Sequence, residues 1–186
     1  NVMKGYYNRP DLTAETIDAE GWFHTGDIGE LVDQKFLKIT DRKKEMFKTA
    51  GGKYVAPQVV ENKFKEALLV EQVMVLGENR KFPAALIVPN FTALKNWAAD
   101  KGINFASNQQ IINEPQVLEK FQQIVQDSCK DFGKWEQVKR FHLLVKEWTI
   151  EGGELTPKLS LKRKVILEKH KDAIEELYKN AESYKV

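Results

Sequence analysis

The sequence predicts a mixed α/β (α+β) fold, a short sheet covered by helices, and three observations carry that prediction. The apolar runs VEQVMVLGE (70–78) and PAALIVPN (83–90) read as buried strands on either side of a turn. Around them, from Pro57 onward, come stretches whose apolar residues recur at helical spacing, the mark of a small layered domain. The first forty residues differ, being punctuated by Gly21, Gly26 and Gly29 and patterned like a hairpin. A boundary near Asp41 follows, dividing the chain into 1–40 and 41–186.

In chain order, Pro10 and Asp11 open a short helix within a loop. ELV and FLKIT then flank a polar DQK turn as a hairpin, and EMFKT is a short strand leading to a Gly51-Gly52 turn. A helix starts at Pro57, with Val59, Val60, Phe64, Ala67 and Leu68 as its apolar stripe. Two strands, Val73–Leu76 and Ala84–Val88, precede a helix that ends at Gly102 and shows Leu94, Trp97 and Ala98 on one face. The strongest helix follows Asn113 and Pro115, with a stripe of Val117, Leu118, Phe121, Ile124, Val125 and Phe132. KRFHLLVKEW reads as a strand, and a final helix runs from about Leu161 to Lys179.

Composition narrows the function classes. At 42% hydrophobic and 10% aromatic the 186 residues can pack a core. A net charge of +2 is too small for a dedicated nucleic-acid binder. The single cysteine, Cys129, excludes an intrachain disulfide, fits a reducing, cytoplasmic compartment, and sits in a helical pattern as a structural thiol. No apolar run approaches the roughly 20 residues that span a bilayer. The chain opens on Asn-Val-Met without a leader pattern, and is expected to be part of something longer.

Three stretches could carry chemistry. DRKKEMFKTAGGKYVAP (41–57) concentrates cations before a Gly-Gly turn, whose backbone N–H groups could cradle an anion. It lacks the GxxxxGK[ST] spacing of a P-loop, and taken alone it reads better as a plain tight turn. Thr25-Gly26-Asp27 places a carboxylate that could accept two hydrogen bonds from a vicinal diol, or simply close a turn. ELTPKLSLKRKVI (154–166) is an extended polar segment before a helix, with Lys158, Lys162, Arg163 and Lys164 gathered where a helix disfavours cations. His24, His142 and His170 lack zinc-ligand spacing.

Read together, GYYNRPDLTAETIDAEGWFHTGDIG, DRKKEMFKTAGGKYVAPQVVEN and LTPKLSLKRKVI resemble the C-terminal end of adenylate-forming enzymes, most closely the long-chain fatty acyl-CoA synthetases. The resemblance spans the chain. It implies a large N-terminal domain and a small mobile lid, with residues 1–40 the edge of the former and the joint at Asp41. It also implies two steps: a fatty acid and ATP give acyl-AMP, and coenzyme A then displaces AMP. Asp27 would hold the ribose hydroxyls and Arg42 would lie against the ribose. Gly51 and Gly52 would line the pantetheine path, with Lys48 brought to the site in that second arrangement. The common third motif, Pro-Lys-Thr-x-x-Gly-Lys, would place the catalytic lysine where this chain has Arg163. The long-chain form, Pro-Thr-x-x-x-Lys-Arg, selects Lys162, with Arg163 and Lys164 as the alternatives.

The Gly/Ser/Thr-rich phosphate loop, the Mg²⁺-holding residues and the acyl pocket of such enzymes have no counterpart here, so the chain alone is expected to be inactive. The partners implied are fatty acid, ATP, coenzyme A and the N-terminal domain in cis, with no nucleic acid; membrane-surface association of the parent is left open. Other adenylate-formers (medium-chain ligases, luciferase-like enzymes, carrier-protein loading domains) are the neighbouring reading. An RNA-binding module is the reading from another class, and Phe47 and Tyr54 are too few aromatics for it.

Overall fold

A computed structural model describes residues 2–43 and 45–179, except for the side chains of 40–42. Contacts divide the chain into two compact units, Asn1–Lys44 and Glu45–Val186.

In the first unit, α1 (Pro10–Thr16) starts on a proline, whose missing N–H costs nothing in a first turn. Strands β1 (Asp27–Val32) and β2 (Phe36–Arg42) pair antiparallel. The DQK turn joins them as expected, with Asp33 and Gln34 at φ of 50° and 55°. Leu31 stands opposite Leu37, with Ile39 two residues on, and these three apolar side chains are 71%, 68% and 56% exposed.

The second unit is built on β5 (Val70–Leu76), β6 (Ala84–Pro89) and β7 (Arg140–Leu143), in the order β5-β6-β7. β5 runs antiparallel to the central β6 and β7 parallel to it. A parallel neighbour requires a crossover, supplied by α3 (Phe91–Asp100), α4 (Asn108–Ile111) and α5 (Pro115–Cys129). Alternate residues feed two cores. Val73, Val75, Ala85 and Ile87 pack with Phe121 and Val125 of α5 and with Val60 and Phe64 of α2 (Pro57–Phe64). Met74, Leu76, Leu86 and Val88 face the other way, onto Trp148, Ile166 of α6 (Arg163–Lys169), and Ile174 and Leu177 of α7 (Lys171–Tyr178). Burial on both faces is why β6 reads as an unbroken apolar run. The expected α+β layering holds. Cys129 is buried in the first core, which pushes its thiol up, as suits a structural cysteine.

Several local expectations need correction. α2 stops at Phe64, so Leu68 falls in the following turn and is 79% exposed. Glu61, not Val59, takes the inward position on that helix. Leu118 lies at the edge of the α5 stripe and is 40% exposed. The final helix is two helices, because His170 (φ −111°, ψ 22°) leaves helical geometry between α6 and α7. The segment after Pro157 is a closed turn rather than an extended one. Thr156 N–H donates to Ser160 O at 2.9 Å, Leu155 bridges to Leu161, and Leu159 takes φ 60° at the apex.

Candidate functional site

In the first unit, the backbone at the open end of the hairpin places Asp27 opposite Arg42, and Ile28 opposite Asp41. Asp27 is exposed, and its N–H donates to Thr25 Oγ1 at 3.0 Å. Register therefore brings together the two residues expected at a ribose. The side chains of Arg42 and of Asp41, the expected joint, lie outside the described residues. His24 is engaged locally, with its Nε2 2.9 Å from Asp18 Oδ2.

The Gly51-Gly52 turn joins β3 (Phe47–Lys48) to β4 (Tyr54–Val55). Phe47 and Val55 point into the core, which turns Lys48 and Tyr54 outward. The Lys48 ammonium sits 5.6 Å from the Tyr54 ring centroid. Gly52 N–H donates to Thr49 O at 2.9 Å, and its φ of 77° suits glycine. The result is an exposed, side-chain-free tip with a lysine at its base.

The third motif resolves into two different cations. The Arg163 guanidinium is built into the fold: Nη2 is 2.8 Å from both Glu61 oxygens, Nη1 donates to Val75 O at 3.1 Å, and Nε lies 3.3 Å from Glu45 Oε2. Glu61, only 3% exposed, also accepts the Val75 N–H at 2.7 Å. Burial pushes its carboxyl up, while Arg163 and that N–H pull it back. Lys162, one residue earlier, is exposed, and its ammonium has no hydrogen-bond or ion-pair partner among the described residues. Its backbone is fixed, N–H to Glu154 O at 2.7 Å. A free cation thus stands on an anchored base.

The same turn has an electrostatic brace. Lys169 Nζ lies 2.6 Å from Glu154 Oε1 and holds that carboxyl below the usual range. A lowered folded-state pKa gives stability that is present above the unfolded value and lost as pH falls through the folded one. Lys169 is 44% exposed, so screening keeps the effect to about 1 kcal/mol or less. The urea midpoint of Lys169→Ala is expected below that of the wild type at about pH 6, and to converge with it as the pH falls below the lowered Glu154 value.

The expectations missed Glu61 and Glu45 as partners of Arg163. A glutamate between Val60 and Phe64 on an inward helical face was the available signal. A concavity of about 470 Å³ beside this cluster is lined by Glu45, Gln58, Leu159 and Arg163. A larger one of about 980 Å³, along Leu69, Phe91 and Trp97, holds none of the motif residues. Among the described residues no group of three or more His, Cys, Asp or Glu side chains could hold a metal ion. No helix among them is long and apolar enough to cross a membrane.

Residues 45–182 match the family model of the AMP-binding enzyme C-terminal domain. Human long-chain-fatty-acid–CoA ligase 6 is 38% identical over 184 residues, covering 96% of this chain and 26% of that protein. Long-chain-fatty-acid–CoA ligase 5 of Mus musculus is 38% identical over 185 residues, covering 98% and 27%. The chain thus spans about a quarter of the length of these curated relatives. Among solved structures, the adenylation domain of a carboxylate reductase from Mycobacterium chelonae aligns with TM-score 0.74 and 29% identity, covering 95% of this chain and 26% of that one. The A domain of a carboxylic acid reductase from Segniliparus rugosus, in complex with AMP and a co-purified carboxylic acid, aligns with TM-score 0.78 and 25% identity, covering 97% and 27%.

Proposed function

The chain belongs to the family of AMP-binding enzyme C-terminal domains, and from that premise we propose that it is the lid and joint of an ATP-dependent long-chain fatty acid:CoA ligase. The likeness to long-chain-fatty-acid–CoA ligases across nearly the whole chain supports this reading. So does the bare apolar face of the β1–β2 hairpin, which suits the edge of a larger domain. The observation that carries it is the division of labour at the third motif, where Arg163 is locked into the fold and Lys162 is free.

The chemistry has two steps. A fatty-acid carboxylate oxygen bonds to the α-phosphorus of ATP and pyrophosphate leaves. The thiol of coenzyme A, giving up its proton, then bonds to the acyl carbonyl carbon and AMP leaves. Asp27 accepts hydrogen bonds from the ribose hydroxyls, with Arg42 beside it. Lys162 neutralises charge gathering on phosphorus in the first step. A rotation about Asp41 then withdraws Lys162 and presents Lys48 and the Gly51-Gly52 tip to the pantetheine arm, a change of catalytic groups that a hinged lid supplies. Mg²⁺, if held by the N-terminal domain, would screen the phosphates.

The test is fatty-acid-dependent ATP–pyrophosphate exchange and CoA thioester formation by the intact enzyme. Absence of both with every long-chain acid would reject the reading. Asp27→Ala is expected to weaken ATP binding about 10- to 100-fold, the loss of charged hydrogen bonds, with the affinity for fatty acid unchanged. An unchanged ATP affinity would remove Asp27 from the ribose site.

A further inference from the structure

Backbone geometry ties the Gly51-Gly52 tip to a segment remote in sequence. The turn between β5 and β6 runs alongside β3 and the tip: Asn79 N–H donates to Lys48 O at 2.9 Å, and Ala50 N–H donates to Arg80 O at 2.8 Å. The tip is therefore gripped from both sides, by Lys53 (its O accepting Thr49 N–H at 2.9 Å) and by this turn. Close approach makes the grip tight. A Cβ on Gly77 would lie 3.1 Å from Phe47 Cε2 and 3.0 Å from Pro83 Cα.

The turn is in turn held by α7. The Arg80 guanidinium lies 4.9 Å from the Tyr178 ring centroid and pairs with Glu175. The Tyr178 phenol donates to Phe82 O at 3.1 Å, and the two rings are 5.3 Å apart. Burial pushes that phenol up, which keeps it a donor. The helix itself is pinned, since Arg140 Nη1 donates to Leu177 O at 2.9 Å and to Lys179 O at 2.8 Å, and Ile174 and Leu177 are buried.

We infer that Arg80 is a positioning residue, through which α7 fixes the place of the Lys48–Gly52 segment and so governs thioester formation rather than adenylation. The thioester half rests on the function proposed above; the coupling of α7 to the tip does not. The Arg80–Glu175 pair is 38% and 48% exposed, so it contributes little to global stability and its loss leaves the fold intact. What it contributes is local: it decides how firmly Arg80 O is presented to Ala50 N–H.

Two readouts test this on Arg80→Ala, with Arg80→Lys as the conservative variant. In this chain, amide exchange at Ala50 is expected to quicken about tenfold in Arg80→Ala while β6 amides keep their protection, and to recover in Arg80→Lys. In the intact ligase, thioester formation from supplied acyl-AMP and coenzyme A is expected to slow about tenfold, the scale of a slightly misplaced loop, with adenylation unchanged. Unaltered exchange at Ala50, or equal slowing of both half-reactions, overturns the inference. Should Arg80→Ala fail to fold, Glu175→Ala removes the pair from the other side under the same readouts. If the wild-type ligase forms no thioester, the proposed function falls and takes the thioester half with it, while exchange at Ala50 still decides the coupling.

Discussion

Replacing Arg163 with alanine is expected to lower the unfolding free energy of the chain by about 3–5 kcal/mol, because it strands a buried carboxylate. Glu61 is 3% exposed, and Arg163 supplies hydrogen bonds to both of its oxygens. Without the guanidinium, Val75 N–H remains as its donor among the described residues, and Val75 O loses its bond from Arg163. The attraction within the pair is not the source of the effect; the desolvation of one unpaired partner is. Replacing both Glu61 and Arg163 with methionine should therefore recover part of the loss, the remainder being the Val75 N–H and carbonyl left without their side-chain partners. Urea unfolding of the two variants measures this. A loss under about 1 kcal/mol in Arg163→Ala would mean that the pair behaves as an exposed one.

The second large effect rests on the proposed function and is catalytic. Lys162→Ala in the intact enzyme is expected to slow acyl-AMP formation about 100- to 1000-fold, the usual result of removing one preorganised donor to a charge-gathering transition state. Arg163 cannot step in, since moving it would break the contacts to Glu61, Val75 and Glu45. The stability of Lys162→Ala should be close to that of the wild type, because the side chain is exposed and its ammonium makes no hydrogen bond or ion pair among the described residues. Arg163→Ala is expected to unfold more easily than the wild type and Lys162→Ala is not, so stability alone should separate the two neighbouring cations.

Much of this was legible in the sequence, for identifiable reasons. The two-sided burial of β6 leaves an apolar run that no surface segment shows, and the DQK turn announces its hairpin. The residues expected at the ribose and at the phosphate follow from whole motifs, because local pattern alone favours an ordinary turn aspartate at Asp27. What stayed hidden was long-range. Arg163 meets Glu61 102 positions earlier, and Arg80 meets Glu175 95 positions later. No periodicity links such pairs, and only the fold brings them together. The closed turn after Pro157 escaped for a different reason: Leu159 holds a left-handed φ that a leucine rarely adopts, so residue type argued against it.

The central claim is that the second unit serves two steps with two different surfaces, Lys162 for the first and the Gly51-Gly52 tip for the second. The most direct test is a single-turnover assay of Lys162→Ala in the intact ligase, run once with fatty acid and ATP and once with pre-made acyl-AMP and coenzyme A. The account predicts that the first reaction is slowed about 100-fold or more while the second proceeds at close to the wild-type rate. Equal slowing of both reactions would contradict it.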